Sequence, residues 1–124
     1  KASNGNTGRV EMSLRQIRVK PLSVNRVWMG RRFKTKDYKD YETLVASLLP
    51  DDVIIPEGDL KVTYEFGMSS AASDWDNPVK PFQDVLQKKY NFNDSRIMKA
   101  LVIKHKVDKG QEFIAFSIEV DNGF

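Results

Sequence analysis

The chain contains no cysteine. That excludes a disulfide framework, a thiol nucleophile and any cysteine-ligated zinc site. Histidine is nearly absent as well, since His105 is the only one. A His-rich metal centre is thereby excluded, and a His-dependent triad would rest on that one residue. His105 sits in a strand-like stretch, where a lone histidine is commonly structural or solvated. No apolar run approaches the roughly 20 residues of a membrane-spanning helix, so a soluble protein with no membrane partner is expected. Residues 1–9 are polar and glycine-containing. They lack the form of a signal peptide and read as a flexible tail. Together these absences lead to an expected cytoplasmic location. No internal repeat or linker divides the 124 residues, a length that suits one domain.

What is present supports a real core, with 40% hydrophobic and 10% aromatic residues. Val10, Met12 and Leu14 alternate with polar residues, and Ile17 and Val19 continue in shifted phase. This predicts a first strand with a bulge or break near Arg15-Gln16, ended by Pro21. A small hairpin about Gly30-Arg31 is expected next, from Val27-Trp28-Met29 and Arg32-Phe33-Lys34. Thr35 caps a helix starting at Lys36, and Tyr38, Tyr41, Val45, Leu48 and Leu49 form its apolar stripe up to Pro50. Leu60, Val62, Tyr64, Phe66 and Met68 alternate cleanly, as in a half-buried strand. Two more strands, about Leu101-Val102-Ile103 and from Phe113 to Val120, are expected to pair as an antiparallel hairpin. The fold expected is α+β over residues 10–120: a mixed four-stranded sheet with two helices on one face (β-α-β-α-β-β). The basic loop or hairpin follows strand one.

Charge is unevenly spread. Residues 1–40 hold eleven Lys/Arg against three Asp/Glu, a net of +8, so the rest of this +3 chain carries −5. Arg26, Arg31, Arg32, Lys34 and Lys36 lie in the basic loop, interleaved with Trp28 and Phe33. Such cations can contact phosphates, and an aromatic can stack on an unpaired base. The plainer alternative is a solvated basic loop with its aromatics in the core.

The chemistry concentrates between Asp74 and Asp94. Asp74 and Asp76 are two apart, so in an extended segment their carboxylates share a face. Asn77-Pro78 reads as a helix start, with Asn as the cap. Val79, Phe82 and Leu86 give that helix an apolar side, and Lys80 and Asp84 are neighbours four apart. A turn over Asn91–Asp94 brings back a further carboxylate; pairing of the next strand beside the one before Asp74 would return Asp94 to the pair. Three converging carboxylates suit a hard cation such as Mg²⁺, with phosphate oxygens and water completing its shell. Lys80 supplies a mobile positive charge. The same residues also serve as ordinary turn and helix-cap chemistry. By contrast, Asp51-Asp52, just after a helix, reads as solvent-exposed.

The pattern Asp74-x-Asp76-Asn77-x-x-Lys80-x-x-x-Asp84-x-Leu86, followed by Asn93-Asp94-x-x-Ile97, resembles the core motif of the RusA family. These are Holliday junction resolvases common in phages and prophages. Pro21-Leu22-Ser23-Val24-Asn25-Arg26 resembles the family's Pro-x-Ser-x-Asn stretch. The motifs occur in the family's order, and the resemblance covers about residues 12 to 120. It implies that Asp74, Asp76 and Asp94 bind Mg²⁺, with Mn²⁺ as a substitute, and that Lys80 is the essential lysine. It also implies a homodimer acting on branched DNA in a bacterial host cell, with the basic loop of residues 22–35 close to the active site. The expected reaction is hydrolysis of a phosphodiester, the metal polarising a phosphoryl oxygen and activating a water. Two features depart from the family's pattern. The loop before Asp74 is Ser69-Ser70-Ala71-Ala72-Ser73 rather than basic, and Asn93 stands where many relatives have a first Asp.

Overall fold

The computed structural model describes residues 14–26, 28–29 and 33–123, with only the backbone for Trp28, Met29 and Phe33. The expected start of the first strand, Val10 and Met12, lies outside the described residues, as does the tail. So do Val27, Gly30, Arg31 and Arg32.

Four strands build the main sheet: β1 (Arg15–Ile17), β4 (Leu60–Met68), β5 (Ile97–Lys106) and β6 (Phe113–Val120). A two-stranded ribbon, β2 (Trp28–Met29) and β3 (Phe33–Lys34), stands apart from it. Two helices complete the domain, α1 (Lys36–Leu48) and α2 (Val79–Tyr90). The result is a single α+β domain with a mixed four-stranded sheet. The ribbon is the expected hairpin, with Trp28 opposite Lys34.

Two strand expectations are corrected. The sheet order is β1-β6-β4-β5, so β5 and β6 do not form a hairpin; β4 lies between them. It is parallel to β5 and antiparallel to β6. The cause lies in β4, which buries both its faces: Val62, Tyr64 and Phe66 on one, Thr63 on the other. A strand hidden on both sides belongs in the middle of a sheet. The predicted break at Arg15-Gln16 is also absent. Arg15, Gln16 and Ile17 pair in unbroken register with Phe116, Ala115 and Ile114.

One side of the sheet carries the core. Ile17, Val62, Tyr64, Phe66, Ile114 and Phe116 share that face by register and pack against both helices. Phe82 of α2 is the hub. Its ring meets Tyr64, Phe66 and Phe116 edge-on, with centroids 5.4, 6.0 and 5.7 Å away. Edge-to-face pairing places the positive ring edge on a negative ring face, which adds to area burial. From α1, Tyr38, Tyr41 and Val45 join the core. Leu48, expected in the stripe, is 40% exposed instead.

Local chemistry fixes the helix ends. Thr35 Oγ1 accepts the Tyr38 N–H at 3.1 Å, the N-cap bond expected there. Asn91 ends α2 in the left-handed region at φ 55°, returning its N–H to the Gln87 carbonyl. Asn tolerates that conformation better than most residues.

Candidate functional site

The approach to α2 differs from expectation. Asn77 N–H reaches the Asp74 carbonyl at 3.3 Å, and Val79 N–H the Asp76 carbonyl at 3.1 Å. Asp74 to Val79 is therefore two overlapping turns rather than an extended segment, and the shared-face argument for Asp74 and Asp76 does not apply. The local reason is that Asp, Asn and Pro all favour turns. The helix begins one residue later than predicted: Pro78 occupies the cap position and no side chain caps the end. Asp74 and Asp76 are exposed. Among the described residues no hydrogen bond or ion pair engages either carboxylate. Trp75 between them is 57% exposed, so it does not anchor the turn in the core.

Lys80, one turn into α2, gathers the other acids. Its ammonium lies 3.1 Å from Asp84 and 3.6 Å from Asp94. Asp84, four residues on, is the neighbour expected from helical spacing. The bond to Asp84, then the charges of Asp84 and Asp94, raise the Lys80 pKa above its ordinary 10.5. The ammonium is still more than half exposed, so it remains available to a ligand.

Asp94 is positioned by groups the sequence reading missed. Gln87 Oε1 accepts the Asp94 N–H at 2.8 Å, and Gln83 Nε2 donates to the Asp94 carboxylate at 3.4 Å. The Tyr64 hydroxyl in turn donates to Gln83 Oε1 at 2.9 Å. Burial, with Asp94 adding its charge, pushes the Tyr64 phenol up, so it stays a donor. The signal for Gln83 and Gln87 was their spacing, which lines them up with Lys80 and Asp84 on one side of α2. Asn93 has a different task. Its Oδ1 accepts the Ser95 N–H at 2.8 Å and caps a short 3₁₀ turn, Asp94–Arg96.

β5 does lie beside β4, but in parallel. Asp94 therefore precedes the sheet end where β4 begins, while Asp74 and Asp76 follow the end where β4 finishes. Among the described residues no group of three His, Asp or Glu side chains is placed to hold a metal ion. An all-carboxylate set has the right chemistry for Mg²⁺. Its geometry here does not fit a metal cage: the Lys80 ammonium, not a metal, sits between Asp84 and Asp94.

The upstream loop does reach the acidic turn. Val24 N–H donates to the Asn77 carbonyl at 2.8 Å, joining the two sequence motifs. Ser23 Oγ organises the loop by accepting the Asn25 N–H at 3.1 Å. On the other side, Lys104 of β5 donates to the carbonyls of Ala71 and Ser73, fastening the segment that carries Asp74.

The basic residues are mostly engaged. Arg26 pairs with Asp37, and Lys36 with Asp40 at 2.7 Å. Lys34 folds back over the Tyr38 ring, 4.8 Å from its centroid, and 3.8 Å from Glu42. Burial and the nearby Lys88 lower the Lys34 pKa. Arg31 and Arg32 lie outside the described residues. On the far face of the sheet, His105 Nε2 meets Glu65 at 2.6 Å, a structural pairing remote from α2. No helix of the described residues is long and apolar enough to cross a membrane. Compared with known proteins, the chain matches no family model and no curated protein.

Proposed function

We propose that the chain is a metal-dependent endodeoxyribonuclease of the RusA type, which resolves four-way DNA junctions as a homodimer. The observation that carries this reading is the Lys80 ammonium, held between Asp84 and Asp94 on the helix that directly follows Asp74 and Asp76. A half-exposed lysine among carboxylates that form no metal cage of their own suits a phosphodiester partner. There, Lys80 would stabilise charge developing on a phosphate or leaving oxygen. Mg²⁺ or Mn²⁺ is part of the proposal. Among the described residues the three aspartates are not gathered around a metal position. A two-fold dimer would match the two symmetry-related strands a junction presents. Action in a bacterial cytoplasm, on phage or prophage DNA, belongs to the same reading.

The test is a labelled synthetic four-way junction beside a matching linear duplex, each with Mg²⁺ and with EDTA. Symmetric, Mg²⁺-dependent nicks confined to the junction are expected. Asp76→Asn should abolish cleavage while sparing junction binding, and Lys80→Ala should cut like the wild type only if Lys80 has no part in the chemistry. A second reading, a non-catalytic nucleic-acid-binding module, is favoured by the absence of a three-carboxylate metal cluster among the described residues. Its mark would be salt-dependent binding indifferent to EDTA, with no nicked product.

A further inference from the structure

A groove opens beside the acidic turn, between the loop of residues 20–26 and the loop of residues 69–73. Its volume is about 340 Å³, within the usual range for small-ligand sites. Pro21, Leu22 and Met68 give it apolar lining, and Met68 is itself 8% exposed. Ser23, Ser70 and Ser73 bring hydroxyls, and Lys20 and Arg26 bring positive charge. Both walls lead to the acidic turn. Ser73 is the residue before Asp74, and Val24 is bonded to Asn77.

The charge balance narrows the occupant. Arg26 already pairs with Asp37, which also lines the groove, leaving part of its five-donor fork for a ligand. Lys20 makes no ion pair among the described residues, although it acts on the charge of Glu112 nearby. Glu112 accepts the Ser69 hydroxyl at 2.6 Å. Ser23 Oγ accepts the Asn25 N–H, so its own proton is free to donate outward. Two cations with a carboxylate near each are a poor match for a doubly charged free phosphate. They suit a singly charged phosphodiester, whose sugar or base covers the apolar wall.

We infer that this groove seats one nucleotide of a DNA strand, next to the phosphodiester presented to Lys80 and the aspartates. The inference rests on the nucleic-acid reading above, and its test does not depend on cleavage. Amide ¹H–¹⁵N spectra of the full chain would be recorded during titration with the thymidine dinucleoside monophosphate TpT, whose one phosphate is a singly charged diester, free of divalent metal. Shifts are expected at Leu22, Ser23, Met68, Ser70 and Ser73. No shift there at millimolar TpT would overturn the inference. The same shifts from inorganic phosphate at equal concentration would overturn the nucleotide assignment. Ser70→Glu places bulk and negative charge in the groove, and Lys20→Ala removes a cation. Each should weaken TpT by about tenfold, with the spectrum itself reporting that the variant is folded. Unchanged affinity in both variants would also overturn it. Junction cleavage without groove shifts would remove the groove alone; groove shifts without cleavage would remove the nuclease and leave the groove.

Discussion

Asp94 is held on three sides by side chains of one helix, and that restraint reaches into the core. The relay runs from Tyr64 in β4 through Gln83 to the Asp94 carboxylate. Tyr64→Phe keeps the ring and its packing against Phe82 but removes the donor. It should cost about 1 kcal/mol, the usual net worth of such a bond, and free the Gln83 amide to turn away from Asp94. Urea denaturation reads the first effect, and the Gln83 side-chain amide resonances read the second. Lys80 makes a different kind of prediction. Its folded pKa is raised by Asp84 and Asp94. The stability it contributes is therefore complete below its unfolded value near 10.5 and is lost only as pH climbs through the higher folded value. A pH–rate profile for junction cleavage should thus show no falling limb from Lys80 below about pH 10. A falling limb near neutrality that Lys80→Arg shifts upward would contradict that. In the sequence, helical spacing alone made the Lys80–Asp84 pairing legible. The Tyr64–Gln83 bond was not, because it joins residues nineteen apart that only the docking of α2 on the sheet brings together.

At the scale of elements, the ends of helices were readable where a side chain decides them. Thr35 was legible because threonine before an acidic first turn satisfies an otherwise unpaired N–H. The start of α2 was misread by one residue, since Asn77 spends its backbone N–H on the Asp74 carbonyl and closes a turn. The β5–β6 pairing was misread for a deeper reason. Alternation of apolar residues tells which face a strand buries, not which strand lies beside it. Six residues, 107–112, carry the chain from β5 past the end of β4 to β6, and Val107 N–H closes that crossing on the Met68 carbonyl at 3.1 Å. Thr35 carries the prediction here, because it serves two elements. It caps α1, and its own hydroxyl donates to the Arg26 carbonyl at the end of a short 3₁₀ turn, Val24–Arg26. Thr35→Ala should lower stability by about 1 kcal/mol through the cap, read as a drop in thermal midpoint. It should also raise amide exchange at Val24–Arg26 more than Thr35→Ser does, since serine keeps both bonds.

Seen as a whole molecule, the domain treats the acids on either side of the α2 start differently. Lys80 lies between Asp84 and Asp94 and offsets one of their two charges, whereas Asp74 and Asp76 are exposed and without a cation among the described residues. The candidate site was legible in the sequence as a list of residues, because helix spacing and turn chemistry are local. Its assembly was not, because that depends on β5 running parallel to β4 and on which cation stands among the acids. If Asp74 and Asp76 take up a divalent ion, with water completing its shell, only the native turn offers that pair of ligands. Binding then stabilises the fold by RT ln(1 + [L]/Kd), about 2.7 kcal/mol when the ion is at a hundred times its Kd. The thermal midpoint of the wild type should therefore rise with added Mg²⁺ or Mn²⁺ at constant ionic strength. Asp74→Asn and Asp76→Asn should each lose most of that rise while melting, without metal, no lower than the wild type, since neither carboxylate has a partner among the described residues to lose. A wild-type midpoint indifferent to both ions would leave Lys80, with Lys20 and Arg26 of the groove, to meet a phosphate without a metal, and the protein would bind nucleic acid without cutting it.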